Sequence, residues 1–571
     1  MHHAAFRSGF RLSAGALANA IESHRGRAMR AAIGLWNKDA STWSTDPAVQ
    51  GKIANRLGWL ASPALMADAV GRITEFAGGI RRDGFTDVVL LGMGGSSLAP
   101  EVLRAVIGSR PGWPQLHVLD STDPTAVRAV STTAARTLYV LASKSGSTIE
   151  PNALAAHFAQ TLRDAGVENW GAHFVAITDP GTALAARASE EGFREAFINP
   201  PDIGGRFSAL SYFGLVPAAL MGQDVEGIVR WGLAMLEDAQ LPGDALANPA
   251  LGLGLLMGAG ATAGRDKLTL VLPPALEPFG LWVEQLVAES TGKDGVGVVP
   301  IVGEPLGPAE VYGHDRVFAR LRSNDEDDET LRDMAMDQLI DMPVVTMDFP
   351  EGAALGAEFV RWEIATAVAG AVLGVNPFDE PNVQQAKDAT RVLLDRHAAE
   401  GGFPAAEPDR TTKAAVEITS TTAARTRLPK AGPEALLRAV DPGDYVGLLV
   451  YLAATPALAR VAAQFRLRAR DRTKAATTFG LGPRYLHSTG QLHKGGANNG
   501  VFVLVTADAP QDVDVPGEQY SFATLELAQA LGDFASLEAT GRRAVHIHLP
   551  STDLSLLEAV LDDLVEQIAH A

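Results

Sequence analysis

Val88–Pro100 reads VVLLGMGGSSLAP. Four apolar residues run into Gly92, Gly94, Gly95 and Ser96, and helix-compatible residues follow. A short apolar run that stops at a glycine turn predicts a strand buried on both faces, as in a parallel sheet. The glycines allow close backbone approach, and the helix start beyond them offers free N–H groups to an anion. The same residues would also serve an ordinary strand–helix turn, since the stretch is neither GxGxxG nor a Walker loop. Working outward, Leu116–Leu119, Leu138–Leu141 and Phe174–Ile177 repeat the pattern. The intervals between them suit crossover helices, so this part reads as a doubly wound α/β unit that closes near Leu215.

A second α/β pattern starts near Lys267–Leu272, continues through Val296–Ile301 and Val344–Met347, and is followed by a helical stretch at Phe359–Leu373. The chain then divides into a helical segment at 1–60, α/β units at 61–215 and 216–397, a linker at 398–433 and a C-terminal α/β section at 434–571. The linker is rich in Ala, Thr, Pro and Gly. The last section has strand candidates Tyr445–Leu452, Val501–Thr506 and Ala544–Leu549. One low-identity echo runs between YGHDRVFARLRS at Tyr312–Ser323 and LHSTGQLHKGGANNGVFVLVT after Tyr485. Each is a His-bearing turn and an apolar strand, followed by a helical stretch and a strand ending in Pro, MPVVTMDFP at Pro350 and AVHIHLP at Pro550, as a duplicated half-domain or chance would give.

At 571 residues the chain holds roughly three or four structural units. The 48 Lys and Arg against 67 Asp and Glu leave a net charge of −19, which argues against a nucleic-acid partner. A small anion is still allowed, because its site needs only a few local donors. The absence of cysteine excludes disulfides, thiolate nucleophiles and Cys-ligated metals, and is compatible with a cytoplasmic location. The N-terminus has no apolar signal-peptide core. Ala250–Gly264 and Tyr445–Ala454 are too short or too Gly-rich to span a bilayer, so they read as core and no membrane partner is expected.

Four segments carry chemistry. The Gly94–Ser96 turn is the first, with Gly95 and Ser96 as candidate ligand contacts. The second is SKSGSTIE at Ser143–Glu150, which puts Ser143, Ser145, Ser147 and Thr148 at a helix start beside Lys144. Such a cluster can hold a phosphate monoester without a metal, although Ser and Thr also cap ordinary helices. The third is IGGRFS, where Arg206 follows two glycines and could stabilise an oxyanion or simply form a salt bridge. The fourth is LWVEQLVAESTGK, in which Gln285 and Glu289 share a helix face and Glu289 sits near a Gly turn. A partly desolvated carboxylate there would suit general-base work; a solvated terminal Glu is the plain alternative.

Together these segments resemble the glucose-6-phosphate isomerase family, in family order and with FDEPNVQQAK at Phe378–Lys387 as a fifth match. The resemblance implies two sugar-isomerase (SIS) domains, each an α/β/α sandwich around a doubly wound parallel sheet, plus an extra C-terminal α/β section. It implies that Ser96, Ser143, Ser145 and Thr148 surround the sugar phosphate, with Lys144 and Ser147 in the same loop. It implies Arg206 as the arginine that steadies an enediolate, Gln285 as a substrate contact, Glu289 as the base and Lys387 as the signature lysine. The chain departs from the FDQxGVExxK signature at Glu380, Asn382 and Gln384. For the ring-opening histidine, LHSTGQ favours His487 over His314, because Ser488, Gly490 and Gln491 match as well. His487 lies after Lys387, an order similar to the isomerase half of fused transaldolase–glucose-6-phosphate isomerases.

The expected activity is cofactor-free and metal-free interconversion of glucose 6-phosphate and fructose 6-phosphate. An isomerase for another phosphosugar or a sulfosugar, and a non-catalytic SIS-type phosphosugar-binding regulator, remain as alternatives. Glu289, Lys387 and a matched His favour an enzyme over a binder. The resemblance suggests a homodimer that shares residues between subunits; the C-terminal section could instead supply them within one chain, leaving a monomer open.

Overall fold

The computed structural model describes residues 6–323, 336, 339, 341–403 and 407–570. Three sheets carry the architecture. Strand β1 (Phe10–Ser13) comes first in the chain and joins the second sheet. The first sheet contains β2 (Asp87–Leu91), β3 (Gln115–Leu119), β4 (Thr137–Ala142), β5 (Phe174–Thr178) and β6 (Glu195–Ile198). Its order is β3-β2-β4-β5-β6 and every pair is parallel. Every residue of β4 and β5 is buried, as strands covered by helices on both faces must be.

The second sheet contains β7 (Lys267–Val271), β8 (Val299–Ile301), β9 (Arg316–Arg322) and β10 (Val344–Asp348), in the order β1-β10-β9-β7-β8. Only β1 runs antiparallel, against β10. The third contains β11 (Arg410–Thr411), β12 (Glu417–Ser420), β13 (Tyr445–Val450), β14 (Ala476–Leu481), β15 (Gly500–Ala507) and β16 (Arg543–Leu549). Its order is β11-β12-β16-β15-β13-β14, with β13 to β16 parallel and β12 antiparallel to β16.

The sequence echo has a counterpart here. The second and third sheets share one topology: four parallel strands in the spatial order second-first-third-fourth, closed by an antiparallel strand from upstream in the chain. His314 precedes β9 and His487 precedes β15, the third strand of each set. Most of the helical stretch expected after Ser323 lies outside the described residues.

Two expectations need correction. Residues 1–60 are mostly helical but also supply β1, whose register sets Phe10 opposite Met347. Residues 398–433, expected to be a linker, contain β11, β12 and the helix Thr422–Arg427, all packed on the third sheet. Their strands are short and only half buried, so Gly, Pro and Thr dominate the local signal. Strand β6 was not anticipated because it is a four-residue edge strand with a single buried position. Strand β14 was not anticipated because it opens on Ala-Thr-Thr.

One apolar core spans the first two units, joining Val88 and Leu138 to Leu268, Val317 and the helix Leu355–Leu373. The third unit is fastened to both. Val89 and Tyr139 share a cluster with Phe522 and Leu525, and Ala288 and Val299 share one with Tyr445 and Phe502. Ala250–Gly264, expected to be core, falls on the helix Pro249–Thr262, nearly all of it buried. Among the described residues no helix is long and apolar enough to cross a membrane.

Candidate active site

A cavity of about 490 Å³ opens at the carboxyl ends of β2 and β4, where the turns after two strands of a parallel sheet converge. Its lining takes Gly94, Gly95 and Ser96 from the turn after β2, and Lys144, Ser145 and Thr148 from the turn after β4. Arg206 comes from the Gly204–Gly205 turn, Gln285 and Glu289 from the helix Phe279–Thr291, and Lys387 from the helix Val383–Glu400. His487 enters from the third unit. The four cations Arg56, Lys144, Arg206 and Lys387 face three carboxylates, Asp179, Glu289 and Glu380. The site therefore carries a local positive excess within a chain of net charge −19.

The glycines are needed for contact. Gly94 has φ +53°, and a Cβ there would lie 2.7 Å from the His487 carbonyl oxygen. A Cβ on Gly95 would lie 2.1 Å from the Gly205 carbonyl oxygen. Close backbone approach thus joins the β2 turn to both the Arg206 turn and the His487 turn.

The turn after β4 divides its hydroxyls. Ser143 is buried beneath the loop; its Oγ accepts from the Gly146 N–H at 3.1 Å and lies 3.1 Å from the Thr148 Oγ1. Its place is to shape the loop rather than to line the cavity. Ser147 is exposed, its Oγ 3.0 Å from that of Ser145, and lies outside the lining. Lys144 donates to Asp179 Oδ2 and, at 3.0 Å, to the Pro201 carbonyl. Burial pushes the Asp179 carboxyl up, against the charge of Lys144.

His487 Nε2 lies 2.8 Å from Glu150 Oε1, and Gln529 Nε2 donates to the same oxygen at 2.7 Å. Burial works to raise the Glu150 carboxyl, but the charge and hydrogen bond of His487 and the charge of Lys387 outweigh it and hold the group low. An ionised carboxylate behind an imidazole fixes the orientation of its ring. The His487 carbonyl accepts from Gln285 Nε2 at 2.7 Å, and the same amide donates to Glu289 Oε2 at 3.2 Å.

Glu289 is 7% exposed. Burial raises its carboxyl above the ordinary range and the charge of Glu380 adds to this, while Arg206, Lys293 and the Gln285 amide oppose. A buried carboxylate made more basic in this way is suited to accept a proton from carbon. Arg206 Nη1 lies 3.6 Å from Glu289 Oε1.

His314 is exposed just before β9 and outside the cavity, so the structure brings His487 and not His314 to the other site residues. Asn55, Arg56, Asp179 and Pro201 also line the cavity, and sequence reasoning missed them. Among the described residues, no group of three or more His, Cys, Asp or Glu could hold a metal ion.

Relatives are numerous. A sequence profile of phosphoglucose isomerase matches residues 70–295. A glucose-6-phosphate isomerase from Rubrobacter xylanophilus is 31% identical over 376 residues, which is 56% of this chain and 85% of that protein. The chain belongs to the glucose-6-phosphate isomerase family. A probable glucose-6-phosphate isomerase from Haloarcula marismortui is 30% identical, over 54% of this chain and 78% of its own length. Among solved structures, a hypothetical protein from Thermus thermophilus matches at TM-score 0.54 and 26% identity, covering 67% of this chain and 99% of that one. A glucose-6-phosphate isomerase from Chlamydia trachomatis shares the fold at TM-score 0.51 and 20% identity, over 66% of this chain and 79% of its own.

Proposed function

We propose that the chain interconverts glucose 6-phosphate and fructose 6-phosphate by ring opening and an enediol proton transfer. The observation that carries this reading is the convergence of Glu289, Arg206, Lys387 and the His487–Glu150 pair on one cavity lined by two hydroxyl-rich turns. The phosphate docks on Ser96, Ser145 and Thr148, with Lys144 and Arg56 supplying charge. His487, aided by Lys387, moves a proton to or from the ring oxygen. Glu289 takes the proton from carbon 2 and returns it to carbon 1, and Arg206 offsets the enediolate charge. Each step needs only a proton carrier or a fixed cation.

We place this activity in the cytoplasm, since a hexose phosphate does not cross a bilayer unaided. We also take the site to be complete within one chain, because His487 is supplied by the third unit.

A coupled assay in both directions tests the reading. Wild type is expected to turn over, and Glu289→Gln to lose about 10²-fold or more in kcat while still binding substrate. A wild type inactive on these sugars but active on another 6-phosphosugar or a 6-sulfosugar would reassign the substrate. Binding without turnover of any of them would leave a phosphosugar-binding regulator.

A further inference from the structure

Arg206 is almost fully committed. Its Nε donates to Ser290 Oγ at 2.7 Å, and Nη2 donates to the carbonyls of Pro377 and Asp379 at 2.8 and 2.9 Å. Nη1 donates to Glu380 Oε2 at 3.0 Å. A guanidinium has five N–H groups, so these contacts leave one, on Nη1, the nitrogen nearest Glu289. Lys293, buried alongside, donates to the Asp379 carboxylate and the Asn376 carbonyl, both at 2.8 Å. The wall around Glu289 thus sets two cations, Arg206 and Lys293, against three carboxylates, Glu289, Asp379 and Glu380. With Glu289 ionised the set carries one net negative charge; with Glu289 protonated it is neutral. A partly buried cluster favours the neutral state.

We propose that Glu380 is a positioning residue for the proton shuttle: by pairing with Arg206 it sets the basicity of Glu289 and limits the free charge that Arg206 presents to the cavity. This rests on the reading of Glu289 as the base. The family signature has a neutral Gln at this place, so the charge of Glu380 is a feature of this chain. Without it, the cluster would be neutral with Glu289 ionised and positive with Glu289 protonated, and Glu289 would release its proton more readily. The other charged or titratable groups of the cavity are Arg56, Lys144 with Asp179, Lys387, and His487 with Glu150. A change at Glu380 leaves them in place, so they cancel in a comparison of variants.

The test compares wild type, Glu380→Gln and Glu380→Asp. In Glu380→Gln the acid limb of kcat/KM is expected about half a pH unit or more lower, as loss of a like charge near a carboxylate requires. Glu380→Asp keeps the charge and is expected to keep the wild-type limb. Two five-carbon sugar phosphates supply a second readout, one ending in a carboxylate that mimics the enediolate and the other in a neutral alcohol. The carboxylate is expected to bind Glu380→Gln about threefold or more tightly than wild type, with the alcohol unchanged, because the freed Arg206 charge faces the end of the sugar at which only the first compound is charged. An unmoved acid limb together with an unchanged ratio of the two affinities would overturn the proposal. If wild type shows no turnover, or Glu289→Gln turns over normally, the base assignment fails instead. The affinity ratio then still decides whether Glu380 controls the charge at Arg206.

Discussion

His487 and Glu150 are 337 residues apart and meet at 2.8 Å. Glu150 sits in the first turn of the helix Ile149–Asp164, where a carboxylate would be expected merely to complement the helix dipole. In the fold it backs an imidazole and is itself held by Gln529. Glu150→Gln keeps a hydrogen-bonding group but removes the charge. It is expected to lower kcat by about tenfold or more with little change in substrate affinity, measured by steady-state kinetics beside direct binding. His487→Ala is expected to lose about 10²-fold or more, and His314→Ala to match wild type. Full activity in His487→Ala would transfer the role elsewhere. The two hydroxyl-rich turns, Arg206, Gln285 and Glu289 were legible because chemistry and turn geometry coincide in their motifs, although Ser143 and Ser147 of the second turn lie outside the cavity lining. Asn55 and Arg56 were not, because they follow the helix Pro47–Ala54 in a stretch without a strand or a glycine turn, and only tertiary packing brings them to the cavity.

The helix Phe279–Thr291 carries two different carboxyl environments. Gln285 and Glu289 face the cavity, whereas Glu284 lies 8% exposed in a smaller pocket with Arg484, Tyr485 and Ser488. Burial pushes the Glu284 carboxyl up to about 7 against the charges of Arg466 and Arg484. The folded chain therefore keeps a proton that the unfolded chain releases from its ordinary 4.5, so this group lowers stability as pH rises from about 4.5 to 7. Glu284→Gln is expected to stabilise the protein by about 3 kcal/mol at pH 8 and to be nearly neutral at pH 4.5, checked by denaturant unfolding at both. An equal effect at the two pH values would contradict the shift. At the β2 turn, Gly95→Ala places a Cβ against a backbone carbonyl that cannot swing aside, and is expected to abolish turnover even if the chain folds. Buried parallel strands such as β4 announced themselves as unbroken apolar runs. The edge strands β6 and β14 and the short strand β12 did not, since half or more of their side chains meet solvent or are polar.

Across the whole molecule, the site draws on all three units: the β2 and β4 turns of the first, the helices bearing Glu289 and Lys387, and His487 from the third. The shared topology of the second and third sheets accounts for the extra length as a repeated α/β unit, and the repeat places its histidine turn against Gly94 and Gln285. The turn is anchored from its own side as well. Arg484 forms a bidentate pair with Asp120 of the first unit, at 2.8 and 2.7 Å, and Tyr485 donates to Asp533 at 2.7 Å. These contacts lie within a single chain, as the single-chain reading of the site requires. Mixing two inactive variants separates this arrangement from a shared one. Chains carrying Glu289→Gln and chains carrying His487→Ala, co-expressed and purified together, contain no chain with both groups intact. If each site is built within one chain, the mixture is expected to show only the residual turnover of its components. A site assembled across chains would restore a fraction of wild-type turnover, because some pairings would bring an intact Glu289 to an intact His487.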